Sequence, residues 1–102
     1  MTHHLLIIAT LDTKGREAEH VKNCAEELGV TPIVMDIGTL GIPLTKPDIS
    51  RHEVALRAGC NLAEIIEQRD RSQAVRSMQE GGAIVAGELL QKGMLNGILG
   101  LG

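Results

Sequence analysis

The stretch LLIIATLDTKGRE, residues 5–17, decides the fold. Its first five residues, 5–9, form a continuous apolar run, the pattern of a strand buried on both faces. Polar residues and Gly15 follow. Ala18, Val21, Ala25 and Leu28 then recur at three- and four-residue spacing, which predicts an amphipathic helix that Gly29 stops. TPIVMDIG, residues 31–38, returns a second strand, with Pro32 in its first turn outside the ladder. A strand, a helix and a strand joined by connections this short form a parallel βαβ unit with a right-handed crossover.

Beyond it, GTLGIPLTKP, residues 38–47, is irregular. Helix signals then return. Ser50 and Glu53 form a capping box inside an Ile49–Val54 hydrophobic staple, and Gly59 ends that short helix. Asn61 and Glu64 repeat the arrangement, with Cys60 and Ile65 as the staple. Asp70 opens a third helix, whose stripe of Ala74, Val75, Met78, Gly82, Val85 and Leu89 carries it to about Lys92. Gly81 and Gly82 weaken its middle by about 1 kcal/mol each, which either close packing or a kink explains. Residues 97–102 are the third strand. The expected fold is therefore α/β: a three-layer, doubly wound, Rossmann-like parallel sheet with its three strands in order 2-1-3.

Composition narrows the function. The chain has 102 residues, enough for one α/β lobe, and it stops in glycines on a core-strand pattern, as the first lobe of a longer protein would. A net charge of −3 gives no electrostatic funnel for nucleic acid, and no aromatic residue is present to stack on one. Any bound base must therefore rest on aliphatic side chains and backbone. Apolar runs are too short to span a bilayer. Cys24 and Cys60, 36 residues apart, have no metal-ligand spacing and read as free thiols of a cytoplasmic protein.

In open parallel sheets, ligands bind outside the carboxyl ends of the strands. The loop of residues 10–15 brings the Thr10 and Thr13 hydroxyls, the Asp12 carboxylate, the Lys14 charge and Gly15, which permits close backbone approach. Lys14 and Arg16 fall in or near the next helix's first turn, where the helix dipole disfavours a cation by about 0.3–1 kcal/mol. A bound anion would turn that penalty into a gain. The plainer reading makes Asp12 or Thr13 an N-cap, with Glu17 and Glu19 balancing the charge. The loop matches neither the Walker A pattern nor G-x-G-x-x-G. Asp36 closes the second strand, where such folds hold ribose hydroxyls, and Asp is also a common strand-ending turn residue; as a ligand residue it would bind ribose or a magnesium-bound water. Gly100 and Gly102 would bring bare backbone N–H groups to the same end. His20 and His52 have no nucleophile beside them in sequence, so no catalytic set is complete. Asp12 alone could act as base or metal ligand in a slow ATP hydrolysis.

ATLDTKGRE, MDIGTLGIP, PDISRHEVALRAG, QRDRSQAVRSM and NGILGLG together resemble the tomato mosaic virus resistance protein-like ATP-binding domain, in the right order and over nearly the whole chain. The resemblance implies a two-lobed α/β domain that binds ATP, with or without magnesium, of which this chain is the first lobe. It implies Thr10, Asp12, Thr13, Lys14 and Gly15 as nucleotide-loop residues, Asp36 and Gly38 beside them, and Gly100 and Gly102 as the start of a glycine-rich loop. It also implies self-association and a missing second lobe. The alternative function is a structural or interaction lobe that binds no ligand.

Overall fold

A computed structural model describes residues 2–102. The elements run β1 (His4–Ala9), α1 (Leu11–Glu27), β2 (Thr31–Asp36), α2 (Arg51–Arg57), α3 (Leu62–Glu67), α4 (Arg71–Gln91) and β3 (Gly97–Leu101). The sheet is parallel in the order β2-β1-β3, with Ala9 opposite both Asp36 and Leu101. Helices cover both faces, so the expected Rossmann-like α/β architecture is the one found.

Strand alternation sorts the core. Ile7 and Ala9 of β1, with Val34 of β2, face α1 and pack on its Leu11 and Ala18. Leu6, Ile33 and Met35 point the other way, into a larger cluster built by α2, α3 and α4 through Val54, Ile65, Met78 and Leu89. Asp36 shares the parity of Val34, so its carboxylate lies on the α1 side, at the end of the sheet where that helix starts.

The long helix α4 is continuous through its glycines, and packing is the reason. A Cβ on Gly81 would overlap the carbonyl oxygen of Val54, so the glycine is what lets α4 lie directly on the backbone of α2. Of the stripe expected on α4, Val75 is exposed, because it faces a cavity; the others are buried. Leu28 was expected on the buried face of α1, but it is 81% exposed at the C-cap, beyond the last buried residue Ala25.

The irregular segment after β2 is anchored at both ends. Ile37 donates to the Ala9 carbonyl at 3.0 Å, extending the ladder by one bond, and the chain turns at Gly38. It returns along the outer edge of β2, where the amides of Asp48 and Ile49 donate to the Val34 carbonyl and Asp36 donates to that of Ile49. Asp48 adds a side-chain bond from Val34 N at 2.8 Å. That edge is therefore covered. The edge at β3 differs: Ile98 and Leu99 are substantially exposed there.

Candidate functional site

The residues expected to form a loop after β1 form a helical turn instead. Helix α1 begins at Leu11, directly after the strand, with Thr10 as N-cap rather than Asp12 or Thr13. The backbone departs from helical geometry at Lys14 (φ −113°, ψ 15°), so a single turn precedes a break and the helix proper. The break frees the Leu11 carbonyl, which accepts from Leu44 N at 2.9 Å. Gly15 is needed for that contact, since a Cβ on it would lie 2.7 Å from the Cβ of Leu44.

Thr10 makes no side-chain cap bond; its hydroxyl pairs with that of Thr13 at 2.9 Å. The cap comes from another strand. Asp36 Oδ1 accepts from Leu11 N at 3.2 Å and from Gly38 N at 2.9 Å. A carboxylate at the helix start suits the dipole. The other oxygen of Asp36 accepts from Arg51 Nε at 2.8 Å, and the acid is fully buried.

Arg51 is the hub of this end of the sheet, a role that its place inside the Ser50–Glu53 capping box does not reveal. It is 6% exposed, and its Nη1 donates to the carbonyls of Leu40 at 2.8 Å and Gly41 at 3.3 Å. Its Nη2 stands 3.5 Å from Asp12 Oδ1; both atoms are buried and without a hydrogen-bond partner among the described residues. Gly38 closes over the cluster, and a Cβ there would lie 2.7 Å from both of those atoms. A signal was available in the sequence. Arg51 occupies the first position of its helix, where a cation is disfavoured, the same anomaly that singled out Lys14. Arg71 occupies the equivalent position in α4.

Above the cluster, at the carboxyl ends of β1 and β2, lies a cavity of about 190 Å³. Thr10, Asp12 and Thr13 line it from the first turn of α1, Thr39 from the loop, and Arg71 and Gln79 from α4. Among the expected site residues, Thr10, Asp12 and Thr13 thus meet at the cavity, while Asp36 and Gly38 form the ion-paired layer beneath. Lys14 turns aside to Glu17 at 3.6 Å, and Gly15 is buried under the loop. Gly100 and Gly102 stand exposed at the end of β3 and do not line the cavity. Two carboxylates against one guanidinium leave the cluster net negative, so an anion placed here needs Arg71 or a cation to offset repulsion. His20 and His52 are exposed, and His20 Nε2 lies 3.7 Å from Cys24 Sγ. No described helix is long and apolar enough to cross a membrane.

Residues 3–102 match the N-terminal domain of the uncharacterised protein family UPF0261, and the chain belongs to that family. A UPF0261 protein of Clostridium tetani is 34% identical over 102 residues, which is all of this chain and 25% of that protein. One of Brucella suis is 35% identical over 98 residues, 96% of this chain and 23% of its own length. The chain therefore spans about a quarter of the length of the relatives it matches. No solved structure matches it significantly.

Proposed function

We propose that this domain is the first lobe of a nucleotide-binding unit, with ATP and magnesium as its ligand, held across the carboxyl ends of β1 and β2. The observation that carries the reading is the cavity itself. It sits where parallel α/β sheets hold ligands, and it gathers three hydroxyls, a carboxylate, a guanidinium and a carboxamide at one mouth. The resemblance of ATLDTKGRE and its companion stretches to an ATP-binding domain supports the same choice.

Each residue then has a role set by its chemistry. Thr10 and Thr13 offer hydroxyls to phosphate or ribose oxygens, and Arg71 neutralises phosphate. Asp12 holds a magnesium-bound water, which removes the repulsion between its own charge and the ligand. Arg51, Asp36 and Gly38 touch no ligand; they fix Asp12 and the 38–41 loop. Gly100 and Gly102 lead into the facing wall, which the rest of a family-length polypeptide supplies. Lys14 acts at longer range, through its charge.

The test is isothermal titration of Mg-ATP into the full-length family protein carrying this lobe. Binding that weakens at least about tenfold in Arg71→Gln, an exposed position whose loss leaves the fold intact, is the expected result. Absence of heat with the wild-type protein refutes the reading.

A second reading has its own observation. Ile98 is 55% and Leu99 38% exposed on opposite faces of β3, whose outer edge has no neighbouring strand among the described residues, so this edge is open to further protein. An interaction lobe without ligand predicts a stable assembly whose size in solution scattering does not respond to nucleotide.

A further inference from the structure

Beside the first cavity lies a second one, of about 280 Å³, between α3, the start of α4 and the 38–41 loop. Its walls are aliphatic: Leu40, Ile65, Ile66 and Ala74. Arg69, Asp70 and Arg71 stand at its rim, where Asp70 is engaged as the cap of α4 through Gln73 N. Thr39, Leu40 and Arg71 line both cavities, so the two adjoin; the first adds Thr10, Asp12, Thr13 and Gln79 to its own apolar wall of Ile37, Val75 and Met78, and the second is aliphatic beside its charged rim.

We infer that the apolar cavity receives the base of the nucleotide, with Arg69 lying against it and Arg71, at the junction, holding the first phosphate. The inference rests on the nucleotide reading above. Three observations select a base as the occupant. Leu40 and Ile66 are 54% and 49% exposed yet face each other across one cavity, so apolar surface remains to be buried there. The chain holds no aromatic residue, so a base bound here has only aliphatic side chains and the flat faces of guanidinium groups to rest on. This cavity supplies both. Arg69 and Arg71 have no ion-pair partner among the described residues, unlike Arg51 and Arg57, which leaves their charge for an anionic ligand.

The backbone at Arg69 agrees. Helices α1, α2 and α4 each close on a glycine in the left-handed region: Gly29 at φ +78°, Gly59 at +78° and Gly93 at +72°. Helix α3 closes on Arg69 at φ +52°, where glycine would cost less. A side chain is kept at the one helix C-terminus that borders the cavity.

The experiment compares the wild-type full-length protein with Ile66→Gln and Arg69→Gly, each titrated with Mg-ATP and with inorganic tripolyphosphate. Both substitutions are at exposed positions, and Arg69→Gly relieves the left-handed residue, so thermal unfolding holds or rises. The expected result is a loss of ATP affinity of about 10-fold or more in each variant, within the range of single apolar pocket contacts. Tripolyphosphate affinity in Ile66→Gln stays within about twofold of wild type, since that ligand carries no base. ATP affinity unchanged in both variants overturns the base site and leaves the nucleotide reading standing. Equal loss of ATP and tripolyphosphate in Ile66→Gln also overturns it, and places another segment of the polypeptide on this surface. No binding of Mg-ATP by the wild type removes the nucleotide reading itself.

Discussion

Replacing Arg51 by methionine isolates what the buried cluster contributes. The side chain is of similar length and apolar, so packing is largely kept while the charge and its bonds are removed. Asp36 then loses its partner at 2.8 Å and remains fully buried, with only its Oδ1 still accepting from Leu11 and Gly38. Breaking a buried pair on one side costs about 3–5 kcal/mol, because the remaining charge is uncompensated. The carbonyls of Leu40 and Gly41 lose a donor too, but both residues are exposed and water replaces it, so their loss adds about 1 kcal/mol or less. Methionine returns about 1 kcal/mol of apolar burial. The net expectation is about 3–4 kcal/mol, a large part of the roughly 5–15 kcal/mol that stabilises a domain. In urea, with a slope of about 1 kcal/mol per M for a chain this size, the midpoint falls by about 3 M with the slope unchanged. The double variant Arg51→Met with Asp36→Asn recovers at least about 2 kcal/mol relative to the sum of the singles, since the fully buried Asp36 charge is then removed together with its partner and only the partly exposed Asp12 loses its counter-charge. A midpoint shift below about 1 M, or additive singles, would refute the reasoning: Arg51 would then be a dispensable surface group.

The two glycines Gly81 and Gly87 of α4 make a matched pair. Gly81→Ala destabilises by about 1–3 kcal/mol, because the new methyl displaces the Val54 carbonyl and overpacking outweighs helix propensity, whereas Gly87→Ala, with nothing within 4 Å, stabilises by about 0.5–1 kcal/mol. Thermal or urea unfolding of both reads the opposite signs, and equal signs would mean that α2 and α4 are not in backbone contact. Asp70→Ala removes the cap that accepts from Gln73 N at 3.1 Å and lowers stability by about 1 kcal/mol, while Asp70→Asn stays within a few tenths. Urea midpoints of the two variants decide whether Asp70 acts as a cap or only as a charge.

The fold was legible because its signals are local. The apolar run of β1, the three- and four-residue spacing of α1, and the caps at Ser50, Asn61 and Asp70 each depend on near neighbours in sequence, and all three caps are made. Where the structure departs from the local pattern, a distant segment intervenes. Residues 10–15 look like a loop because they are polar and contain glycine. They become a helical turn because Asp36, from another strand, caps Leu11, and because Leu44 takes the carbonyl that the break at Lys14 leaves free. Val75 fits the stripe of α4 but faces a cavity that only the neighbouring loop and first turn create.

The same division runs through the site. Thr10, Asp12 and Thr13 were found at the end of β1, since strand ends can be read from hydrophobic pattern alone. Arg51 and Arg71 lie far from them in the chain, and no spacing rule ties an arginine in a later helix to an acid at the end of β2. Their position at helix starts was the one trace they left in sequence.

By itself, then, the sequence determined the α/β class, the strand order 2-1-3 and the end of the sheet at which Thr10, Asp12 and Asp36 gather, because short-range periodicity and the handedness of parallel crossovers leave few other arrangements. Only the tertiary structure decided which acid is buried and which faces a cavity. That choice depends on where the Arg51 guanidinium comes to rest, and a buried carboxylate persists only beside such a partner.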